Sequence, residues 1–354
     1  MKTSIISGIS GQDGAYLALL LLERGYKVYG THRPGSFGNF WRLEELGIRN
    51  HPDLHLIAHE LTELDATVTM VEQTQPDEIY NFAAQSSVAR SFEQPYLTAQ
   101  ITGVGALNLL EAIRRVNARI RFFQASSADM FGTTPSLAQS EDTPFYPRSP
   151  YAVAKLGAHW STVNYRESYN IFACSGILFN HESPLRGLEF VTRKISHGAA
   201  RIKLGKLDLL ELGNLDIRRD WGFAKEYVEG MWRMLQADKP DTFVLASKRS
   251  ASVRDFVRMA FKHAGIEVEF SGRAENETAV VTALSAAPSE ARERVRVGQT
   301  VLRVNPKFYR PLENGCSVGD PAKARAKLGW ETRTTPEQLC QMMVDADLAR
   351  VGQD

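Results

Sequence analysis

The chain is expected to adopt an α/β fold, a Rossmann-type doubly wound parallel sheet joined to a smaller mixed α/β C-terminal substrate domain. Three features lead there. Short apolar runs alternate with helical patterns from Thr3 to Leu178, which implies parallel pairing through helical crossovers. A glycine-rich turn, Gly8-Ile9-Ser10-Gly11-Gln12-Asp13-Gly14, follows the first run. After about Asn180 the alternation gives way to an irregular pattern.

Thr3–Ser7 reads as a buried strand, Ala15–Arg24 as a helix ended by Gly25, and Lys27–Gly30 as the second strand. Leu54–His59, Glu78–Phe82, Arg121–Ala125 and Phe172–Leu178 are further strands, with helices at Val68–Gln75, Gly105–Arg115 and Ala152–Tyr169. Later helices are expected at Arg193–Ala200, at Ser252–Ala264 and at Pro336–Leu348, where proline sits in a first turn that does not need its missing N–H. Gly272–Gln299 is polar and lacks an apolar period, so it reads as a surface excursion or mobile loop. The expected domains are residues 1–180 for the nucleotide and 181–354 for the substrate, with a segment near 212–248 returning to the first.

At 354 residues the chain can bury a large core, and a net charge of +1 gives no basic excess for nucleic acid. The longest apolar stretch, Ala15–Leu22, is too short to span a bilayer and reads as a buried helix, not a signal sequence. Cys174, Cys316 and Cys340 form neither a metal motif nor a disulfide framework. No metal is expected, and the cytoplasm is the expected location.

Gly8, Gly11 and Gly14 allow a sharp turn and a close backbone approach to a pyrophosphate at a helix N-terminus. They, with Gln12 and Asp13, form the expected cofactor loop. The second strand ends in Thr31-His32-Arg33. An acid there would bind a ribose 2′-hydroxyl, whereas Arg33 suits a 2′-phosphate and so NADP; the plainer reading is a solvated arginine. Glu60 and Leu61 end the third strand and are assigned to adenine.

Tyr151 and Lys155 share a helix face. A lysine ammonium beside a phenol favours phenolate, so the tyrosine can take a hydroxyl proton near neutral pH. Such spacing also occurs on ordinary helix surfaces. Here it follows a nucleotide-binding pattern and the rigid entry Pro147-Arg148-Ser149-Pro150. Ser127 is expected to hydrogen-bond the oxygen that Tyr151 deprotonates. Asp129 adds a carboxylate to the same cleft, or serves as a cap or turn acid.

Specific motifs run nearly end to end: the glycine loop, Asn81-Phe82-Ala83-Ala84-Gln85-Ser86, Thr143 to Tyr151, Gly176 to Pro184, Phe190 to Lys194, Arg219-Asp220-Trp221-Gly222, Arg310-Pro311-Leu312-Glu313 and Gly319 to Ala324. On these residues the chain resembles the extended short-chain dehydrogenase/reductases, and most closely the GDP-mannose 4,6-dehydratases. The resemblance implies a GDP-sugar substrate and a homodimer or homotetramer. It places Ala83 at the cofactor, Gln85 and Ser86 beside nicotinamide and hexose, and Asn180, Lys194, Arg219 and Arg310 on sugar and diphosphate. Glu313 falls on the guanosine ribose. The implied chemistry is oxidation at carbon 4, loss of the carbon 6 hydroxyl as water after proton removal at carbon 5, and return of hydride to carbon 6.

Four positions depart from the family pattern. Ser127 stands for threonine, Pro34 for a second arginine, and Ser87 for histidine or an aromatic. Asp129 stands for glutamate, which shortens the reach by roughly 1.3 Å. A misplacement of about 1 Å can cost on the order of 100-fold in rate. Three outcomes are open: a shifted backbone that preserves dehydration, a substrate larger at carbon 6 such as a GDP-manno-heptose, or a carbon 4 oxidoreductase or epimerase without dehydration. A non-catalytic NADP-binding protein is the alternative from another class.

Overall fold

The computed structural model describes residues 1–35, 39–133, 138–285, 295–309 and 318–353. In chain order it begins β1 (Thr3–Ser7), α1 (Gln12–Glu23), β2 (Lys27–His32), α2 (Trp41–Glu45), β3 (Leu54–Ala58), α3 (Leu64–Thr74) and β4 (Glu78–Asn81). There follow α4 (Val88–Glu93), α5 (Pro95–Thr98), a π-helical stretch (Ala99–Val104), α6 (Gly105–Val116), β5 (Arg121–Ser127) and a 3-10 turn (Ala128–Met130). Next come α7 (Pro150–Tyr169), β6 (Ala173–Leu178), β7 (His181–Glu182), α8 (Val191–Lys203), β8 (Leu210–Leu212), β9 (Arg218–Asp220), β10 (Gly222–Phe223), α9 (Ala224–Gln236) and β11 (Thr242–Leu245). The remainder is β12 (Ser250–Ser252), α10 (Val253–His263), β13 (Ile266–Ser271), β14 (Thr278–Leu284), β15 (Thr300–Val304), α11 (Ala322–Leu328) and α12 (Pro336–Gln353).

The first compact unit comprises Met1–Phe179, Ala224–Lys248 and Gly319–Thr332. Its seven-stranded sheet runs β11-β6-β5-β4-β1-β2-β3, with every pair parallel. Strands buried on both faces read as continuous apolar runs, as in Ile5-Ile6 and Phe122-Phe123, all fully buried. Strand order reverses between β1 and β4, and in such sheets ligands bind beyond the carboxyl ends at that switch. The edge strand β11 is closed in part by a side chain, because Glu141 Oε1 accepts from Val244 N–H at 2.7 Å.

The second unit comprises Asn180–Phe223, Arg249–Val318 and Arg333–Asp354. A four-stranded sheet, β13-β14-β15-β8, lies within it. The excursion expected over Gly272–Gln299 is therefore partly sheet. Thr278–Leu284 pairs antiparallel with both β13 and β15, and Ala279 and Val281 face the core. Its run of Thr, Ala and Val suits a half-buried strand, but the polar flanks obscured it.

Helices α8 and α12 are joined by a buried ion pair. Asp347, fully buried, accepts from Arg193 Nη2 at 2.6 Å, Arg193 Nε at 2.8 Å and Ser196 Oγ at 2.6 Å. Burial pushes the Asp347 carboxyl up. The neighbouring His197, Arg193 and Ser196 outweigh that and hold it below the usual carboxylate range. A depressed folded-state pKa gives stability that is present above the unfolded value and lost as pH falls through the folded one. Asp347→Ala strands the Arg193 charge, and urea melts are expected to show a loss of about 3–5 kcal/mol. Among the described residues no helix is long and apolar enough to cross a membrane.

Candidate active site

The glycine loop links β1 to α1. Gly8 has φ +79°, and a Cβ there would lie 2.9 Å from Ala83 N. The two residues thus face each other across the switch between β1 and β4. A Cβ on Gly14 would lie 2.5 Å from Gly8 O and 2.8 Å from Ile9 Cα, so only glycine lets α1 sit this close to the turn. Gly11 caps α1 without a side-chain hydrogen bond, so the positive end of the helix meets the loop, where an anion is favoured. This cradle fits a dinucleotide pyrophosphate. Gln12 is buried, and its Nε2 donates to Asp13 Oδ1 at 3.1 Å. Gly14→Ala collides with backbone, not with a flexible side chain. Calorimetry is expected to show affinity for a nicotinamide dinucleotide reduced by about 100-fold, and unchanged affinity would refute the cradle.

Arg33 is exposed just past β2. A second arginine, absent from the sequence expectations, reaches the loop: Arg42 Nη1 donates to Ser10 O at 2.9 Å while its guanidinium lies 4.5 Å from the Trp41 ring centre. Glu60 accepts from Thr62 Oγ1 at 3.0 Å. Leu61 is buried, and its carbonyl accepts from Asn108 Nδ2 at 2.9 Å.

Ser149 Oγ caps α7 by accepting from Ala152 N at 3.1 Å, with Pro150 in the first turn. This entry puts Tyr151 at the start of the helix and Lys155 one turn later, 9% and 5% exposed. Lys155 Nζ donates to Ala125 O at 2.7 Å and lies 5.8 Å from the Tyr151 ring centre. Burial lowers Lys155 to about 8, with Asp13 acting in the opposite sense.

Ser127 closes β5 and caps the 3-10 turn that carries Asp129, its Oγ accepting from Asp129 N at 3.2 Å. That contact leaves the Ser127 hydroxyl hydrogen to donate. Asp129 is half-buried. Gly132 ends the turn at φ +59°, where a Cβ would stand 1.8 Å from Tyr146 O. Ser127, Asp129, Tyr151 and Lys155 therefore all sit on β5, the turn after it, and the first two turns of α7.

A buried polar chain behind them escaped sequence reading. Ser7 Oγ donates to Asn81 Oδ1 at 2.5 Å, Asn81 Nδ2 to Gln124 Oε1 at 2.8 Å, and Gln124 Nε2 to Ala125 O at 2.9 Å. Ala125 O is the carbonyl that Lys155 also grips. The available signal was polar residues near the carboxyl ends of otherwise apolar central strands. Gln85 is committed to its own loop. Its Nε2 donates to Ser87 O at 3.0 Å and Thr98 Oγ1 at 3.2 Å, and its Oε1 accepts from Ser87 N at 2.8 Å. Its backbone N–H reaches Thr102 Oγ1 in the π-helical stretch, a distortion often found at functional sites. Ser86 is exposed.

In the second unit, Asn180 O accepts from Gly222 N at 2.9 Å. Lys194 lies 3.7 Å from the Phe308 ring centre, and burial lowers its pKa. Arg219 is buried on β9, with Nη1 donating to Arg218 O at 2.9 Å. Arg310 and Glu313 lie outside the described residues.

The family model described as GDP-mannose 4,6 dehydratase matches residues 5–343. The GDP-mannose 4,6-dehydratase of Yersinia enterocolitica is 49% identical, with 100% of this chain and 95% of that protein covered. The human GDP-mannose 4,6 dehydratase is 45% identical, covering 98% and 91%. Among solved structures, RMD from Pseudomonas aeruginosa complexed with NADPH superposes with TM-score 0.75 at 21% identity, covering 99% and 100%. UDP-glucose 4-epimerase from Thermotoga maritima gives 0.79 at 18%, covering 99% and 100%. These structural likenesses carry the fold, and the sequence matches carry the family. This chain belongs to the GDP-mannose 4,6-dehydratase family.

Proposed function

We propose that this chain is a GDP-sugar 4,6-dehydratase that converts GDP-mannose or a GDP-manno-heptose to the 4-keto-6-deoxy sugar. The observation that carries the reading is Lys155, held on Ala125 O one helical turn from Tyr151 and beside the Ser127–Asp129 turn. NADP, bound at Gly8, Gly11, Gln12, Asp13, Gly14 and Ala83 with Arg33 toward its 2′-phosphate, supplies a reversible two-electron acceptor. Lys155 holds Tyr151 as phenolate, and Tyr151 takes the carbon 4 hydroxyl proton while Ser127 donates to the same oxygen. The carbon 4 ketone acidifies carbon 5. Asp129 takes that proton and returns it to the departing carbon 6 oxygen, so water leaves. Oxidation at carbon 4 is balanced by reduction at carbon 6, a proton returns to carbon 5, and no outside reductant is consumed. Lys194 and Arg219 offer cations to the diphosphate. Asn180, Arg310, Glu313, Gln85 and Ser86 keep the substrate roles that the family resemblance implies.

Support for NADP over NAD comes from Arg33 and from the NADPH-bound relative. Exposed Val104, Leu107, Val153 and Trp160 on the π-helical stretch, α6 and α7 support a homodimer or homotetramer. A monomeric mass by light scattering would overturn that. Free, buried Cys174 and Cys340 suit the cytoplasm. The deciding experiment is mass spectrometry of products from GDP-mannose and GDP-manno-heptose with NADP. Loss of one water from either sugar supports the reading, and loss from neither sinks it. The second reading, a carbon 4 oxidoreductase, rests on the short reach of Asp129. It predicts isotope exchange at carbon 4 with the carbon 6 oxygen retained.

A further inference from the structure

We propose that His159 is a positioning residue for the reaction, pinning α7 to β5 and β6 so that Tyr151 and Lys155 keep their places beside Ser127. The kinetic part of its test rests on the functional reading above.

His159 lies on α7 one turn beyond Lys155 and is 3% exposed. Its Nδ1 is 2.7 Å from Ser175 Oγ on β6 and 3.4 Å from Ser126 Oγ on β5. The two serine hydroxyls are 2.8 Å apart. Ser126 follows Ala125, whose carbonyl Lys155 grips, and precedes Ser127. Two successive turns of α7 therefore hold two successive residues of β5, one directly through its carbonyl and one by way of the Ser175 hydroxyl. Residues four apart in a helix lie on the same face, so both grips act from the same side.

The ring is enclosed by Phe145 and Trp160, with centroids at 5.2 and 5.3 Å. Burial, with Arg166 acting in the same sense, pushes His159 down to about 4. An uncharged imidazole with its hydrogen on Nε2 accepts at Nδ1. In that tautomer Ser126 donates to Ser175 and Ser175 donates to His159. A buried network with its members satisfied selects one packing, whereas an apolar contact tolerates sliding. Sliding matters here because a displacement of about 1 Å at reacting groups costs on the order of 100-fold.

The test compares His159→Leu, His159→Asn, Ser175→Ala and the His159→Leu/Ser175→Ala pair. The readouts are GDP-mannose kinetics and the titration of Tyr151 by NMR of the ring carbon bearing its hydroxyl, assigned with Tyr151→Phe. His159→Leu is expected to lower kcat by about 10- to 100-fold with KM nearly unchanged. Asparagine, whose amide falls near the Nδ1 position, restores most of kcat. The double variant is no worse than the poorer single, as coupled partners require. The Tyr151 titration moves to higher pH in His159→Leu and Ser175→Ala. If His159→Leu fails to fold, Ser175→Ala carries the test. Wild-type kcat and a wild-type Tyr151 titration in the folded variants would overturn the proposal. A wild-type enzyme without turnover of GDP-mannose or GDP-manno-heptose would defeat the functional reading instead, and the Tyr151 titration would still decide this one.

Discussion

Lys155→Met is expected to reduce turnover by about three orders of magnitude, while the ligand-free protein is at least as stable as wild type at neutral pH. Both effects have one origin. Burial lowers the ammonium to about 8, against about 10.4 in an unfolded chain. Below pH 8 both states carry the proton, and holding the charge inside weighs against folding. From pH 8 upward the folded state releases it first, so that penalty fades by about pH 10. The stability advantage of methionine is thus largest below pH 8 and vanishes toward pH 10, apart from the lost bond to Ala125. Wild-type activity falls on the alkaline side near 8, where the charge that favours the Tyr151 phenolate disappears. Thermal melts at pH 7 and 10, with kcat across the same range, check both parts. A variant retaining a tenth of wild-type turnover would exclude Lys155 from proton transfer.

Asp129→Asn separates the two halves of the reaction. Asparagine matches aspartate in shape, and the bond from its own N–H to Ser127 belongs to the backbone, so the turn is retained. Water loss is expected to fall by about 100- to 10,000-fold. Carbon 4 oxidation continues, visible as reduced-nicotinamide absorbance that no longer decays. Equal dehydration by the asparagine variant would show that another group removes the carbon 5 proton. Asp129→Glu then reads the substrate. Its added reach raises turnover on GDP-mannose if aspartate is merely too short. It lowers turnover on a GDP-manno-heptose if the space belongs to the extra carbon.

The parallel sheet was legible because buried strands are written as apolar runs, such as Ile5-Ile6 and Phe122-Phe123. The glycine loop was legible because its demand is on backbone: Gly8 and Gly14 have no room for a Cβ. Boundaries moved where capping decides. α1 starts at Gln12, directly after Gly11, and not at Ala15, and α7 starts at Pro150 because Ser149 caps it. The helix expected from Gly105 extends back through a π-helical stretch to Pro95. Exposed Tyr96, Leu97 and Val104 break the apolar period there. Tyr151 and Lys155 could be paired from spacing alone. The Ser7–Asn81–Gln124 chain could not, because its members are joined only by sheet order.

The interleaving of the two units bears on how the chain is made. The nucleotide unit needs Ala224–Lys248 and Gly319–Thr332, so a ribosome that has delivered its first six strands has not delivered its seventh. Until Thr242–Leu245 emerges, β6 presents an unpaired edge where the finished sheet has β11. Open edges of this kind recruit other strands, and incompletely synthesised chains are prone to aggregate through them. A nascent chain released before residue 242 should therefore partition to chaperones or inclusion bodies.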